Sequence, residues 1–360
     1  MMKKLFTPLI LIMIIFLMGS ECSSPTETEK PPSNNQNFTW RTDTLGKAGS
    51  SVGDVWVVNE NDIYVVGQFN REDYNSYLPN NLAHWDGQKW EMRRVYFVRT
   101  FDQGIDSSIN KIYTFRYFDK NNTLVSDGGE IAIWNGVELL TKFPPRDYLK
   151  GNMIHSYGTS STDLFYGGTN YQENIGSLVH FNGESFENIE TGSSLPVQDI
   201  FGRGSVAFLV ASDFWSGFEP TDIAKINLES KQVELQSQDS LVGPIASCWI
   251  SPDNQQIYVG GSNRIYKRAV SGNSYWSEMK TPIDQAIIKI RGNAENDLFV
   301  VGGYNMVYHY NGENWLNLTE LIPDRIIGGN YEVLSVSQKT TAMAGDAEFG
   351  AYVTLAKRKE

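Results

Sequence analysis

Cysteine is almost absent from this chain: Cys22 and Cys248 are the only two in 360 residues. If Cys22 is modified or removed with the N-terminal segment, Cys248 has no partner within the chain, and no disulfide framework is expected. Cys248, in the run Ser-Cys-Trp-Ile, reads as a small buried residue rather than a nucleophile. Histidine is nearly as scarce, at four residues. Basic clusters are missing too, and 30 Lys and Arg against 42 Asp and Glu give a net charge of −12. A phosphate-binding surface needs grouped cations, so nucleic acid is not expected as a partner, and the acidity reads as a well-hydrated surface. No phosphate-loop, G-x-S-x-G or H-E-x-x-H pattern occurs, and no run has calcium-loop spacing. Nothing here points to a metal or cofactor, and none is expected.

What the chain does have is a phrase repeated seven times, a short β-rich apolar run that usually ends at glycine. Its clearest copies are at 61–67, 162–168, 255–261 and 296–303, with weaker ones at 122–129, 205–211 and 340–345. Aligned on the residue before each run they begin at 62, 122, 163, 206, 256, 297 and 340. Steps of roughly 40 to 60 residues, with several strands per step, mark a radial β array. A second phrase follows most copies, as in 82–95, 131–143, 178–190 and 307–318: a strand ending in an aromatic, then Asp-Gly or Asn-Gly, then another strand. Asp-Gly and Asn-Gly favour two-residue hairpin turns in which both central residues take positive φ. A third apolar segment precedes each glycine run. Each unit is therefore a four-stranded antiparallel meander, A to D, and seven of them predict an all-β, seven-bladed β-propeller. The seventh unit stops without a D strand, while residues 38–45 stand unassigned at the other end. The N-terminal strand is expected to complete the C-terminal blade and close the ring.

The units resemble kelch-type repeats, with a four-residue apolar strand, a Gly-Gly pair (167–168, 260–261, 302–303) and then a Tyr and a Trp. The Tyr310-to-Trp315 interval is shorter than in that family, and Gly-Gly is incomplete in blades 1, 4 and 7. Trp85-Asp86 is similar to the WD dipeptide, but other blades carry Asn and no upstream Gly-His occurs. The resemblance is to divergent propellers of secreted bacterial proteins, and no catalytic residue carries over from it.

At the N-terminus, Lys3 and Lys4 precede an apolar stretch from Leu5 to Met18, followed by Gly19, Ser20, Glu21 and Cys22. This is the layout of an export signal, too short for a comfortable membrane span. It is similar to the bacterial lipoprotein signal, which implies lipidation at Cys22. Glu21 stands where that family carries a small residue, and ordinary signal-peptidase cleavage is the alternative. Residues 1–21 are read as the signal, 22–36 as a flexible polar tether and 37–360 as the propeller. The expected place is the bacterial outer membrane or cell surface, alternatively the periplasm or medium, with the lipid as the sole membrane attachment and the chain a monomer.

Residues at equivalent positions of different blades are spread around the ring and do not converge on one ligand. His84, His180 and His309 share one repeat position and read as strand residues, and Asp62, Asp163 and Asp297 recur before strand B as turn residues. His155 differs, lying in strand A, which lines the central channel of a propeller. The Asp-box of sialidases is absent, and no acid pair stands out for glycoside hydrolysis. Function is then left to the irregular connections of the top face, where the D–A and B–C links meet. The candidate ligand-binding residues are Arg71, Tyr74, Tyr77, Arg146, Tyr171, Asp213, Phe214, Trp215, Phe218 and Glu219. The expected activity is binding of a protein or glycan of the cell envelope. The alternatives are a polysaccharide-active enzyme of glycosidase or lyase type using the same funnel, and a periplasmic envelope-assembly factor.

Overall fold

The computed structural model describes residues 37–71, 78–101, 104–134, 139–142, 151–170, 175–214, 220–236, 240–272 and 275–359. Its strands form seven four-stranded antiparallel sheets and one separate hairpin. The innermost A strands of blades 1 to 7 are Ser51–Asn59, Thr114–Asp119, Gly151–Ser160, Val197–Arg203, Ser247–Ile250, Ile287–Ala294 and Asn330–Val336. The molecule is an all-β, seven-bladed propeller. The outermost D strands of blades 4, 5 and 6 are only three residues long, which leaves little backbone free for edge-to-edge pairing.

Ring closure follows the leftover strand. Phe38–Thr44 pairs antiparallel with the C strand of blade 7, Phe38 opposite Arg358 and Thr44 opposite Tyr352. Beyond the pairing, the Lys359 amide donates to the Asn37 carbonyl at 2.8 Å, so the two ends of the described chain meet. The core is likewise distributed around the ring. Seven apolar clusters are found among the described residues, one at each interface between neighbouring blades. The cluster between blades 1 and 7, for example, joins Val55, Val65 and Trp85 to Ala344, Val353 and Leu355. Each blade is apolar on both faces and is stable only between its neighbours.

The repeated phrases have packing explanations. Strand B ends at glycine because the chain entering strand A crosses it there. A Cβ on Gly302 would lie 1.9 Å from the Ala286 carbonyl oxygen, and one on Gly345 1.8 Å from that of Asn330. The Asp-Gly and Asn-Gly turns depart from the two-residue form. Trp85 pairs with Trp90, Phe181 with Phe186 and Tyr310 with Trp315, so each turn holds the intervening 86–89, 182–185 or 311–314. Positive φ occurs at Gly87, Gly183 and Gly312 but not at the preceding Asp or Asn. Instead, the Asp86 carboxylate accepts from the Gln88 and Lys89 amides at 2.8 and 2.9 Å, and Asn182 and Asn311 do the same in their blades. The longer turn lets the paired aromatics pack against each other at a tilt, with ring centroids 5.5, 4.7 and 5.0 Å apart.

The connection between blades 1 and 2 has strands of its own. The chain there folds back on itself, Phe97–Phe101 pairing with Gly104–Ser108, and Phe97 is buried against blade 2.

Candidate functional site

The channel is built from the A strands, and their backbone is irregular in a repeated way. In blades 1, 3, 4, 6 and 7 the pairing with strand B slips by one residue, between Val52 and Asp54, Met153 and His155, Val197 and Asp199, Ile287 and Lys289, and Tyr331 and Val333. A bulge of this kind turns an additional side chain away from the regular alternation. The five bulges place Gly53 and Asp54, Ile154 and His155, Gln198 and Asp199, Ile288 and Lys289, and Glu332 and Val333 around a cavity of about 200 Å³ in the upper half of the channel. A second cavity of about 340 Å³ occupies the lower half. Asp54, Arg116, Lys289 and Arg291 line both.

These shared residues belong to a belt of ion pairs across the channel. Asp199, 2% exposed, faces Lys289 at 3.1 Å and is held by both terminal nitrogens of Arg291 at 3.0 and 3.1 Å. It also accepts from the Ser247 hydroxyl at 2.7 Å and the Cys248 amide at 3.1 Å. Burial alone would raise this carboxyl, but the charges of Arg291 and Lys289 outweigh it and hold it well below the ordinary carboxylate range. Across the channel Asp54 accepts from Arg116 at 2.8 Å, and Arg116 donates through Nε to the Ser156 carbonyl at 2.9 Å. Burial pushes the Lys289 ammonium down. His155 is lowered to about 3, by burial first and then by the charge of Lys289, so it is neutral at physiological pH.

At the upper rim Glu332 is raised to about 7, mainly by burial and then by the charge of Asp346, whose side chain is within hydrogen-bonding reach. Lys111 lines the same cavity and is lowered by burial. Two carboxyl groups in direct contact are closer than the 5 Å or more that glycoside hydrolysis requires, and Asp346 does not line the cavity. Among the described residues no group of three or more His, Cys, Asp or Glu is placed to hold a metal ion.

The top-face candidates divide into two sets. Arg71 follows strand B of blade 1 and is exposed, and Asp213 follows strand B of blade 4. Phe214 reaches inward and lines the upper cavity. Tyr74, Tyr77, Arg146, Tyr171, Trp215, Phe218 and Glu219 lie outside the described residues, as do the export segment, Cys22 and the tether. Of the candidates drawn from sequence, Phe214 and His155 meet at one cavity. The remaining lining charges were missed. Their signal is a charged residue inside a largely apolar A strand, as Asp54, Asp199, Lys289 and Glu332 are in blades 1, 4, 6 and 7.

The recurring histidines stay apart. His84, His180 and His309 each contact an aspartate, Asp62, Asp163 and Asp297, at 2.8 Å in separate blades. Each His also lies against a strand-B ring, Tyr64, Phe165 or Phe299, at centroid distances of 4.4 to 4.6 Å. The three aspartates are therefore cross-strand partners of histidine rather than turn residues alone. Cys248 is buried, donates weakly to the Phe208 carbonyl at 3.4 Å, and its thiol is pushed far up by burial.

No family model matches this chain, and no curated protein matches it. Its fold is nonetheless found among solved structures. One of them, "YCF48 bound to D1 peptide", is 14% identical, with a TM-score of 0.62 over 89% of this chain and 95% of that one. The likeness is one of propeller architecture.

Proposed function

We propose that this chain is an extracytoplasmic, lipid-anchored binding propeller that recognises a protein segment at its top face. The observation that carries the reading is the upper cavity: Phe214, from an irregular top connection, joins channel residues of all seven blades around one opening. A concave mouth with a few charged groups and an aromatic at its rim suits a protruding peptide segment. The structural neighbour is described as bound to a peptide, which is in keeping with this use of the fold. The glycosidase alternative is weaker, because the carboxylates of the channel are either ion-paired or in contact. A kelch-like ancestry and attachment through Cys22 complete the proposal.

The test is capture from the native envelope with the full chain as bait. Replacing Phe214 and Trp215 together by Ala should abolish capture while leaving the melting temperature unchanged. Unchanged capture would refute the top-face reading. Attachment is tested separately, since Cys22→Ser should move the protein out of the membrane fraction, and unchanged fractionation would refute the anchor.

A further inference from the structure

The lower cavity differs in chemistry from the upper one. Its wall carries six aromatic side chains, Trp56, Tyr117, Phe118, Tyr157, Phe201 and Trp249, together with four cations and a single carboxylate, Asp54. Glycines set how two of these rings lie. A Cβ on Gly202 would fall 2.2 Å from the Tyr157 ring, and one on Gly292 3.2 Å from that of Trp249. Each ring therefore rests across the A strand of the next blade. At about 340 Å³ the space falls within the range of small-molecule sites, which are apolar with a few oriented polar groups.

The charges in this half do not balance. Asp54 is matched by Arg116, while Asp199 is shared by Lys289 and Arg291, which leaves one positive charge over. Arg203 adds a second. It makes no hydrogen bond or ion pair among the described residues, and its Nε is buried without a partner. Only the Nε is enclosed, the side chain as a whole being half-buried, and a guanidinium fork left without a partner among the described residues is suited to a bidentate oxyanion. The neighbouring polar groups are chiefly donors, and Ser335 already accepts from the Val57 amide. Sugar hydroxyls need acceptors as well as donors, so the wall favours a ligand that only accepts.

We propose that the lower half of the channel is a binding site for a small planar aromatic carboxylate. Its ring stacks among Trp56, Tyr157, Phe201 and Trp249, and its carboxylate is held by Arg203. The site is separate from the top-face mouth, with the Asp54–Arg116 and Asp199–Lys289–Arg291 belt between them.

Calorimetric titration of the full chain with indole-3-carboxylate, indole and acetate tests this. Quenching of Trp56 and Trp249 fluorescence serves as an independent readout. Saturable binding of indole-3-carboxylate is expected, at least about tenfold tighter than either the neutral ring or acetate, as a charge-assisted bidentate contact implies. Arg203→Gln should weaken it by a further factor of about 10 to 100 without lowering the melting temperature, and Arg203→Lys should retain part of the affinity. The proposal is overturned if indole-3-carboxylate fails to bind, if indole binds equally well, or if Arg203→Gln binds like the parent. Should Arg203→Gln not fold, a loss of affinity in folded Arg203→Lys supports the assignment and parent-like affinity overturns it. Envelope capture through the top face is expected to survive Arg203→Gln, so the two proposals fail independently.

Discussion

Asp199→Asn is the sharpest perturbation of the channel belt. The amide keeps the shape of the side chain, and its oxygen can still accept from the Ser247 hydroxyl and the Cys248 amide. What it removes is the carboxylate that ion-pairs with both Lys289 and Arg291, at 3.1 and 3.0 Å. Two buried cations are then left side by side. Stripping one partner from a buried ion pair costs about 3–5 kcal/mol, because the remaining charge is neither solvated nor matched. At roughly 2 °C per kcal/mol, the low end of the scale for a chain of this size, the melting temperature should fall by about 6–10 °C. Differential scanning calorimetry and denaturant titration both read this. The mechanism has its own control: adding Lys289→Met to Asp199→Asn removes one of the stranded charges, and the double variant should be more stable than Asp199→Asn alone. If the double variant loses the sum of the two single losses, uncompensated charge is not the cause and the account of the belt is wrong.

Glu332→Gln should flatten part of the pH profile of stability. The Glu332 carboxyl is raised to about 7 in the fold from an ordinary value near 4.5, so its stabilising contribution is complete below about pH 4.5 and is lost as pH rises through 7. The parent should lose on the order of 2 kcal/mol between pH 5 and 8 relative to Glu332→Gln, and parallel profiles in denaturant titrations at both pH values would refute this. Removal of residues 1–45 deletes the strand that closes blade 7 and bares the edge at 350–358; size-exclusion chromatography should show aggregates, and a stable monomer would contradict the role of closure. His180→Ala removes a buried ring that contacts Asp163 and lies against Phe165, and should destabilise the protein by about 2–3 kcal/mol in urea without affecting envelope capture. A variant that instead kept its stability but lost capture would give the repeated histidines a binding role.

The ring was legible from the sequence because each blade restates the same physical requirement. Glycine sits in strand B where the incoming chain crosses closest, as at Gly302 and Gly345, and in blades 1, 3 and 6 an aromatic flanks the C–D turn because a partner ring packs against it. The unpaired segment at 38–45 and the missing D strand of blade 7 had to answer one another, and they do. The channel was not legible by the same logic. Its residues, among them Asp54, Arg116, Asp199, Lys289 and Glu332, change in type and sign around the ring in no regular order, so no period announces them. Their pairing depends on which blades face each other across the ring. The bulges that aim them are equally silent, because a one-residue slip in pairing leaves no compositional mark. Discounting periodic residues was sound for His84, His180 and His309. Confining the search to loops overlooked irregularity inside strand A.

The seam that closes the ring also fixes a polarity. Phe38 begins its strand opposite Arg358, where the last C strand ends, and this places Asn37 at the lower rim, on the same side as the A–B and C–D turns. A molecule held by its leading segment would hang from that rim. Its lower mouth, with the aromatic cavity behind it, would face whatever surface holds the protein, and its upper mouth would point outward. Moving the attachment to another blade would leave the fold intact and turn the molecule over relative to its support only if the new exit lay on the upper rim.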